Sequence, residues 1–210
     1  MMRKHKLIVI IGNVGSGKTT LTHRLARLLG AKEIKADMLY LTNPFFPLAV
    51  KDRPRWSLAS DLWFLYERVE IMNRNIRYLK KQTLLIDSGL PMSWVYSHSR
   101  IQSGYYNKHE WLLYHSMSDV TTAKSPTPDL IIHLHGRIPF LLDRIQSRGR
   151  EFEKKYHTAA YLSSLDYSLK VYKTYCRRKN IKVISIDVEK NDLSQKSNLQ
   201  ILQKKIFSQP

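Results

Sequence analysis

Cysteine is almost absent from this sequence: its 210 residues include one, Cys176. One thiol cannot form a disulfide within the chain, and such sparing use of cysteine is typical of a protein in a reducing cytosol. Long apolar runs are absent as well, since no stretch approaches the roughly 20 residues of a membrane-spanning helix. The apolar run that follows the basic N-terminus is too short for a signal peptide. We therefore expect a cytoplasmic protein without a membrane segment.

Acidic residues are also scarce: 17 Asp and Glu stand against 35 Lys and Arg, which leaves a formal net charge of +18. Such an excess fits a nucleic-acid partner, a polyanionic small substrate or a generally basic, solvated surface. The basic residues are spread along the chain, and no nucleic-acid-binding motif accompanies them, so nucleic acid is not expected as a partner. With 43% hydrophobic residues, residues 1–210 are expected to form one domain with a full core.

One stretch near the N-terminus carries a phosphate-binding motif. Residues 7–20 read LIVIIGNVGSGKTT, in which a buried strand runs into the pattern G-x-x-x-x-G-K-[ST] and then into a helix. Glycines let backbone N–H groups converge on phosphate oxygens, Lys18 can reach the β- and γ-phosphates, and Thr19 can ligate Mg²⁺. The motif predicts a nucleoside triphosphate bound by Gly12, Asn13, Val14, Gly15, Ser16, Gly17, Lys18, Thr19 and Thr20.

Hydrophobic periodicity predicts five strands that alternate with helices. The strands fall at residues 7–12, 32–35, 83–87, 129–135 and 182–188, and the main helices at 19–29, 57–80, 138–146, 156–178 and 194–207. Residues 36–47 are expected to be a loop, and the aromatic-rich segment 91–118 is expected to contribute to the core. This alternation favours an α/β fold, one parallel sheet with helices on both faces.

Four polar residues are candidates for a site. Asp37 and Asp87 each follow a predicted strand, at the edge where parallel sheets place ligand-binding residues, although a solvated loop side chain is the alternative for Asp37. Asp87 closes a buried strand beside the phosphate loop, the usual position of a residue that holds the Mg²⁺ shell. Asp61 and Arg68 lie seven residues apart on the long helix and share a face, a spacing typical of a solvated stripe.

A cluster of three arginines follows the fourth strand: Arg144, Arg148 and Arg150. One interpretation is an exposed basic turn. The other is a lid whose arginines cover a transferring phosphoryl group and neutralise its charge.

The order of these motifs resembles the deoxynucleoside kinase family, from about Lys6 to the end of the chain. The resemblance rests on the phosphate loop, the step Asn43-Pro44-Phe45, the segment FLYER at 64–68 and the triplet Arg148-Gly149-Arg150. It implies the three-layer α/β fold of P-loop NTPases, with strand order 2-3-1-4-5 and a short arginine-rich lid. It also implies an ATP-dependent kinase that phosphorylates the 5′-hydroxyl of a nucleoside. Because family members are often dimers through their long helices, a homodimer is one expectation.

Where positions match, the resemblance implies roles for single residues. Asp37 would act as general base on the 5′-hydroxyl, and Asp87 would help to organise Mg²⁺. Lys18 and the three lid arginines would stabilise charge on the transferred phosphoryl group. Glu153 would contact the sugar 3′-hydroxyl, and the loop that begins at Asp187 would contact the adenine of ATP.

Two positions depart from the family pattern. Ser88 stands where the family has an arginine that positions the 5′-hydroxyl, and Asp61 stands where it has a glutamine that pairs with the base. A carboxylate only accepts hydrogen bonds, whereas glutamine donates and accepts, so either the base preference is altered or the acceptor is not a common deoxynucleoside. Arg68 matches an arginine of purine-accepting members.

Three other activities stay open, of which a basic kinase that processes nucleic-acid ends is the weakest. A nucleoside monophosphate kinase would need basic residues for the acceptor phosphate, such as Arg53, Arg55 or Arg68. A nucleotide-binding regulator without turnover would explain the missing arginine at Ser88.

Overall fold

The computed structural model describes residues 5–36, 38–148 and 151–208, and its centre is a sheet of five strands. These are β1 (Leu7–Gly12), β2 (Lys32–Lys35), β3 (Leu84–Asp87), β4 (Leu130–His135) and β5 (Lys182–Asp187). They pair in parallel in the order β2-β3-β1-β4-β5, which confirms the predicted order. The central strand β1 is buried along its whole length, as an uninterrupted apolar run predicts.

Helices cover both faces of this sheet. In the described part of the chain they are α1 (Lys18–Leu29), α2 (Phe46–Lys51), α3 (Arg53–Asn75), α4 (Leu90–Gln102), α5 (Lys108–Thr122), α6 (Ile138–Arg148), α7 (Glu151–Tyr156), α8 (Ala159–Arg178) and α9 (Lys196–Phe207). Short 3₁₀ segments occupy Met38–Leu41 and Ile76–Lys80. None of the helices in the described ranges is long and apolar enough to cross a membrane.

The side chains of β1 alternate between two apolar layers, as the period of a strand requires. Ile8 and Ile10 pack with residues of α1, α6 and α9. Leu7, Val9 and Ile11 pack with residues of α3, α4 and α8 on the opposite face. Because all strands run the same way, the segments that follow β1, β3 and β4 meet at one edge of the sheet.

The long helix differs from its predicted bounds at both ends. It begins at Arg53 rather than at residue 57, because the Asp52 carboxylate accepts a hydrogen bond of 3.3 Å from the Arg55 N–H and Pro54 fits the first turn. At the other end the helix gives way to 3₁₀ geometry over Ile76–Lys80.

Three other predicted segments have more detailed structure than expected. The predicted loop 36–47 contains a 3₁₀ turn and the start of α2, and the aromatic segment 91–118 forms most of α4 and α5. The predicted helix 156–178 is interrupted after Tyr156, because the Thr158 hydroxyl accepts a hydrogen bond of 3.2 Å from the Tyr161 N–H and starts α8. The lid region therefore consists of the end of α6 and the short helix α7; Gly149 and Arg150 lie outside the described residues.

Candidate active site

Three glycines shape the phosphate loop. A Cβ on Gly12 would stand 2.5 Å from the Leu134 carbonyl oxygen, so only glycine lets the end of β1 approach β4 this closely. Gly15 and Gly17 adopt left-handed backbone with φ of 78° and 89°. Gly17 is also the N-cap of α1, so the N-terminal amides of that helix open toward the loop.

Polar contacts fix this loop to the rest of the fold. The Asn13 amide donates a hydrogen bond of 2.7 Å to the Leu162 carbonyl of α8, and its oxygen accepts one of 2.8 Å from the Val14 N–H. The Lys18 ammonium donates to the Asn13 carbonyl at 2.9 Å. The lysine is therefore folded back over the loop, where the β- and γ-phosphates of a nucleotide would lie.

A cavity of about 460 Å³ opens from the loop toward α3, α4 and the lid region. Eleven of the predicted residues line it: Val14, Gly15, Gly17, Lys18, Thr19, Thr20, Asp61, Arg68, Arg144, Arg148 and Glu153. Gly12, Asn13 and Ser16 do not line it; they are buried residues that form the framework of the loop.

The end of the cavity farther along α3 holds a buried ion pair. The Oδ2 atom of Asp61 accepts hydrogen bonds from the Arg100 Nε, at 3.3 Å, and from the Tyr106 hydroxyl, at 2.7 Å. Burial and the Asp61 charge both raise the pKa of Tyr106, so this phenol stays a donor. Burial opposes the charge on Arg100, but Asp61 outweighs it and the pKa of Arg100 is raised. The predicted solvated stripe on α3 is therefore wrong for Asp61, which is only 4% exposed.

Arg68 lies two helical turns from Asp61 and is also buried, with 6% exposure. One of its terminal nitrogens donates to the Ser93 hydroxyl at 2.8 Å, while its Nε has no hydrogen-bond partner among the described residues. Burial lowers the pKa of this guanidinium, although arginine keeps its proton in proteins. The cavity thus contains a buried cation with hydrogen-bonding capacity to spare.

Aromatic rings form the walls of the cavity. The Arg68 guanidinium lies 5.2 Å from the centre of the Phe64 ring and 5.9 Å from that of Tyr96. On the lid side, the Phe152 ring of α7 packs against two others: its centre lies 5.2 Å from the ring centre of Tyr40 and 5.8 Å from that of Phe46. Flat apolar walls with charged groups at the end suit a planar heterocycle.

The lid arginines lie at the loop end of the cavity. A terminal nitrogen of Arg144 is 3.1 Å from the place a Gly17 Cβ would take, so this guanidinium lies over the phosphate loop. Arg148 lies 3.7 Å from the buried carboxylate of Glu153. Both arginines are exposed, which is expected of charged side chains above an open site.

Two further predicted residues lie away from this cavity or behind it. Asp87 is 1% exposed, and its Oδ1 accepts a hydrogen bond of 2.8 Å from the hydroxyl of Ser88, which does line the cavity. Ser88 itself has a left-handed φ of 55°. Asp187 ends β5 at the edge of the sheet and accepts the Glu189 N–H at 3.0 Å. Asp37, the predicted base, lies outside the described residues.

The arginines considered for an acceptor phosphate have different surroundings. Arg53 lies 4.8 Å from the ring centre of Tyr161 and donates to the Tyr156 carbonyl, and Arg55 packs on Trp56. Neither lines the cavity, whereas Arg68 does.

Comparison with known proteins identifies the family to which this chain belongs. The sequence model described as "Deoxynucleoside kinase" matches residues 8–207. The chain belongs to the deoxynucleoside kinase family. Deoxyguanosine kinase of Dictyostelium discoideum is 28% identical to it, over 87% of this chain and 64% of that protein. Deoxyadenosine/deoxycytidine kinase of Bacillus subtilis (strain 168) is 31% identical, over 71% of this chain and 69% of that protein.

A solved structure shows the same fold. Deoxyadenosine kinase from M. mycoides with bound dATP superposes with a TM-score of 0.79 and 19% identity, over 97% of this chain and 100% of that one. The family, the fold and the class of activity, phosphoryl transfer from ATP to a nucleoside, are thereby confirmed.

This deoxynucleoside kinase has site residues that sequence reasoning missed. These residues are Arg100 in α4, Tyr106 in the segment after α4, and His157 in the turn before α8. No local sequence pattern connects the three. His157 stacks on Tyr161 with ring centres 5.0 Å apart, and burial together with the Arg53 charge lowers its pKa to about 3. It is therefore a neutral ring of the wall. The one available signal for Arg100 was that no other Lys, Arg, Asp or Glu occurs in α4.

Proposed function

We propose that this kinase transfers the γ-phosphoryl group of ATP to the 5′-hydroxyl of a deoxynucleoside whose base occupies the α3 end of the cavity. The proposal rests mainly on one observation: a single continuous cavity joins the phosphate loop to an end that has aromatic walls and hydrogen-bonding side chains. Five cationic side chains and two carboxylates line it, and Asp61 and Arg100 offset each other. Of the other cationic side chains, Lys18, Arg144 and Arg148 lie at the loop, where a triphosphate would be bound, and Arg68 lies at the α3 end.

Lys18, Arg144 and Arg148 are proposed to hold and neutralise the transferred group. Lys18 and the N-terminal amides of α1 would bind the phosphate oxygens in the ground state. The two lid arginines would act mainly as charge develops during transfer, because they are exposed and can close over the group. Glu153, next to Arg148, would accept a hydrogen bond from the sugar.

Magnesium fits the residues present. The Thr19 hydroxyl lines the cavity one residue after the loop lysine, and the Asp87 carboxylate closes the strand beside β1, opposite Ile10 in register. Hydroxyl, carboxylate and phosphate oxygens are the ligands that Mg²⁺ prefers. When bound, the ion would neutralise charge on the phosphates during transfer. Asp37 remains the proposed base, with Asp87 as the second candidate.

The assembly and the location are proposals as well. A homodimer is supported by an exposed apolar stripe on α5, in which Leu112, Leu113, Met117 and Val120 are 53%, 49%, 44% and 76% exposed. The stripe follows helical spacing, so one face of a second copy could cover it. A single domain over residues 1–210 is supported by the one sheet and by the extent of the family match. A cytoplasmic location stays a prediction from the single cysteine.

One assay tests the proposed function. The protein is incubated with ATP, Mg²⁺ and either the four deoxynucleosides or their 5′-monophosphates, and ADP release is measured. Release with deoxynucleosides but not with monophosphates supports the proposal. Release with monophosphates alone would identify a monophosphate kinase. ATP binding with no release in either set would identify a regulator.

A further inference from the structure

The edge of the sheet opposite the candidate active site collects basic residues from all parts of the chain. Because the strands are parallel, their N-terminal ends meet at this edge, and so do the ends of the helices that lead into them. The end of α9 lies there as well, since the Lys6 ammonium donates a hydrogen bond of 3.1 Å to the Ile206 carbonyl. We call this surface the basal face. It consists of residues 5–7, 27–32, 74–84, 123–130, 177–182 and 204–208.

The basal face carries most of the net charge of the protein. Its segments contain fourteen basic residues: Lys6, Arg27, Lys32, Arg74, Arg77, Lys80, Lys81, Lys124, Arg177, Arg178, Lys179, Lys182, Lys204 and Lys205. They contain one acidic residue, Asp129, so their formal charge is +13, against +18 for the whole chain. In the sequence these residues are divided among separate segments, and the expectation against nucleic acid rested on that spread. The fold brings them onto one surface.

Little of this charge is neutralised within the fold. Twelve of the fourteen basic side chains are exposed, and the other two are half-buried. Among the described residues, Arg74 is the only one of them within ion-pair distance of a carboxylate, that of Glu70 at 3.8 Å. The Asp129 carboxylate serves the backbone, since its Oδ2 accepts the Leu7 N–H at 2.7 Å. The basal face therefore presents its cations to the solvent.

Helix ends explain only a part of this concentration. The C-terminus of a helix carries a partial charge of about −0.5, which attracts lysine and arginine. Those of α1, α5, α8, α9 and the 3₁₀ extension of α3 lie at the basal face, and together they supply about −2.5. The formal charge of +13 exceeds this several-fold. Repulsion within the surplus charge costs stability, and a polyanionic partner would offset that cost.

The side chains of the basal face suit a phosphodiester backbone better than a lipid surface. Five of the cations are arginines, whose planar forks match phosphate oxygens. An aromatic ring lies among the cations: the centre of the Tyr78 ring is 3.7 Å from the Lys32 ammonium and 5.2 Å from the Arg77 guanidinium. Proteins that bind single strands combine cations with such rings. Insertion into lipid would require several exposed apolar side chains, and Phe207 is the one of large size among the described residues of the face.

The size of the face indicates how many phosphates it can meet. Five strands span about 19 Å, and a layer of helices adds about 10 Å on each side. A duplex carries one phosphate charge per roughly 1.7 Å of its axis, so the face meets on the order of ten phosphates. We propose that the basal face binds the sugar–phosphate backbone of nucleic acid, DNA or RNA, without sequence preference. Because the cavity opens at the opposite edge of the sheet, a bound strand leaves the phosphate loop accessible.

Binding of labelled oligonucleotides to the wild-type protein tests the proposal. Fluorescence anisotropy gives the Kd of a short DNA duplex, a DNA single strand and an RNA single strand, each in two unrelated sequences. With about six phosphate contacts, the Kd of the duplex should rise roughly 10³-fold between about 50 and 200 mM salt. The two sequences should bind equally, and the ratio of DNA to RNA affinity identifies the preferred backbone. No binding at the lower salt, or binding only to phosphatidylserine vesicles in a sedimentation assay, would overturn the proposal.

Charge reversal tests where the nucleic acid binds. The basal variant combines Lys81→Glu with Lys179→Glu, and the matched control combines Lys51→Glu with Lys108→Glu, which are exposed and lie outside the basal face. The basal variant should weaken binding at least roughly 10-fold and lower the slope of log Kd against log salt by about 2. The control should change the Kd less than about threefold, since long-range attraction is screened. Both variants should keep the kcat of the wild type and its KM for ATP.

Competition with ATP separates the basal face from the phosphate loop. Saturating ATP should leave the bound oligonucleotide in place. Displacement by ATP, or equal weakening in the two charge-reversed variants, would overturn the proposal. All of these measurements are made without turnover, so their failure leaves the proposed kinase activity standing.

Discussion

Replacing Gly15 by alanine should disturb stability and catalysis together, because the phosphate loop packs directly on the helix that carries the lid arginines. Gly15 has a left-handed φ of 78°, and a Cβ there would stand 2.7 Å from the Leu141 carbonyl oxygen. Left-handed backbone costs an alanine about 1–2 kcal/mol. The clash adds about 1–3 kcal/mol, since Leu141 and Ile145 are packed in the core and α6 can shift only at the cost of that packing. The free energy of unfolding should thus fall by about 2–5 kcal/mol.

Gly30→Ala is the matched control for this prediction. Gly30 also has a left-handed φ, of 60°, but a Cβ there would meet no atom within 4 Å. This variant should lose only the backbone cost of about 1–2 kcal/mol. Urea unfolding of both variants gives the difference that belongs to the contact with α6.

Catalysis gives the second readout. Relief of the clash moves α6, and with it Arg144 and Arg148, away from the loop, so kcat should fall at least about 10-fold in Gly15→Ala. The Gly30 variant should keep its kcat, because it touches nothing at the site. Equal stability losses in the two variants, or a normal kcat in Gly15→Ala, would refute the proposed coupling between the loop and the lid helix.

Four further predictions concern single side chains. Lys18→Ala should keep its circular dichroism spectrum but lose turnover and most of its affinity for ATP; normal turnover would contradict the loop assignment. Arg148→Ala should lower kcat at least roughly 10²-fold with little change in the Kd of ATP, and a loss in affinity alone would indicate a ground-state clamp. Asp37→Asn should bind ATP yet lose roughly 10²-fold or more in single-turnover transfer, whereas a rate within about threefold of wild type would remove it as the base. Burial and the Lys173 charge lower the pKa of His133 from 6.5 to about 3, so the unfolded chain binds a proton that the folded chain excludes. Stability is therefore lost as the pH falls below 6.5, and His133→Leu should flatten the fall measured by urea unfolding between pH 6.5 and 4; an unchanged slope would contradict the shift.

The sheet and the phosphate loop could be predicted because their signals are local. β1 is a continuous apolar run that ends in glycine, and the helix after it ends at Gly30, which adopts the left-handed cap that the sequence suggests. The parallel order followed from the resemblance and from the alternation of elements. Because these signals are local, the predicted strand bounds agree with those of the structure to within one residue.

Helix ends were less predictable, although their caps are visible in the sequence. The sequence contains two ordinary signals for a helix start: Asp52 with Pro54 at α3, and Thr158 before α8. The prediction followed the apolar periodicity instead of these signals. Periodicity reports which face is buried and continues across a cap, so it merged α7 with α8. Attention to the capping residues would have corrected both bounds.

The base end of the cavity could not be predicted from the sequence. Asp61 and Arg68 look like a solvated stripe, because the helix pattern cannot show that α4 and the Tyr106 segment cover that face. Arg100 and Tyr106 reach Asp61 across 39 and 45 residues of chain. Such contacts are created by tertiary packing alone, and so is the neutral state of His157.

The most direct test of the central claim identifies the product of the reaction. The protein is incubated with the deoxynucleoside that supports the fastest ADP release, Mg²⁺ and ATP labelled in the γ-phosphate, and the labelled product is assigned by phosphorus NMR, with Lys18→Ala as the control. The account predicts that the label appears in the 5′-monophosphate of that deoxynucleoside, with ADP in equal amount, and only with the wild-type protein. Label at the 3′-hydroxyl, label in a diphosphate, or equal product from the Lys18 variant would contradict it.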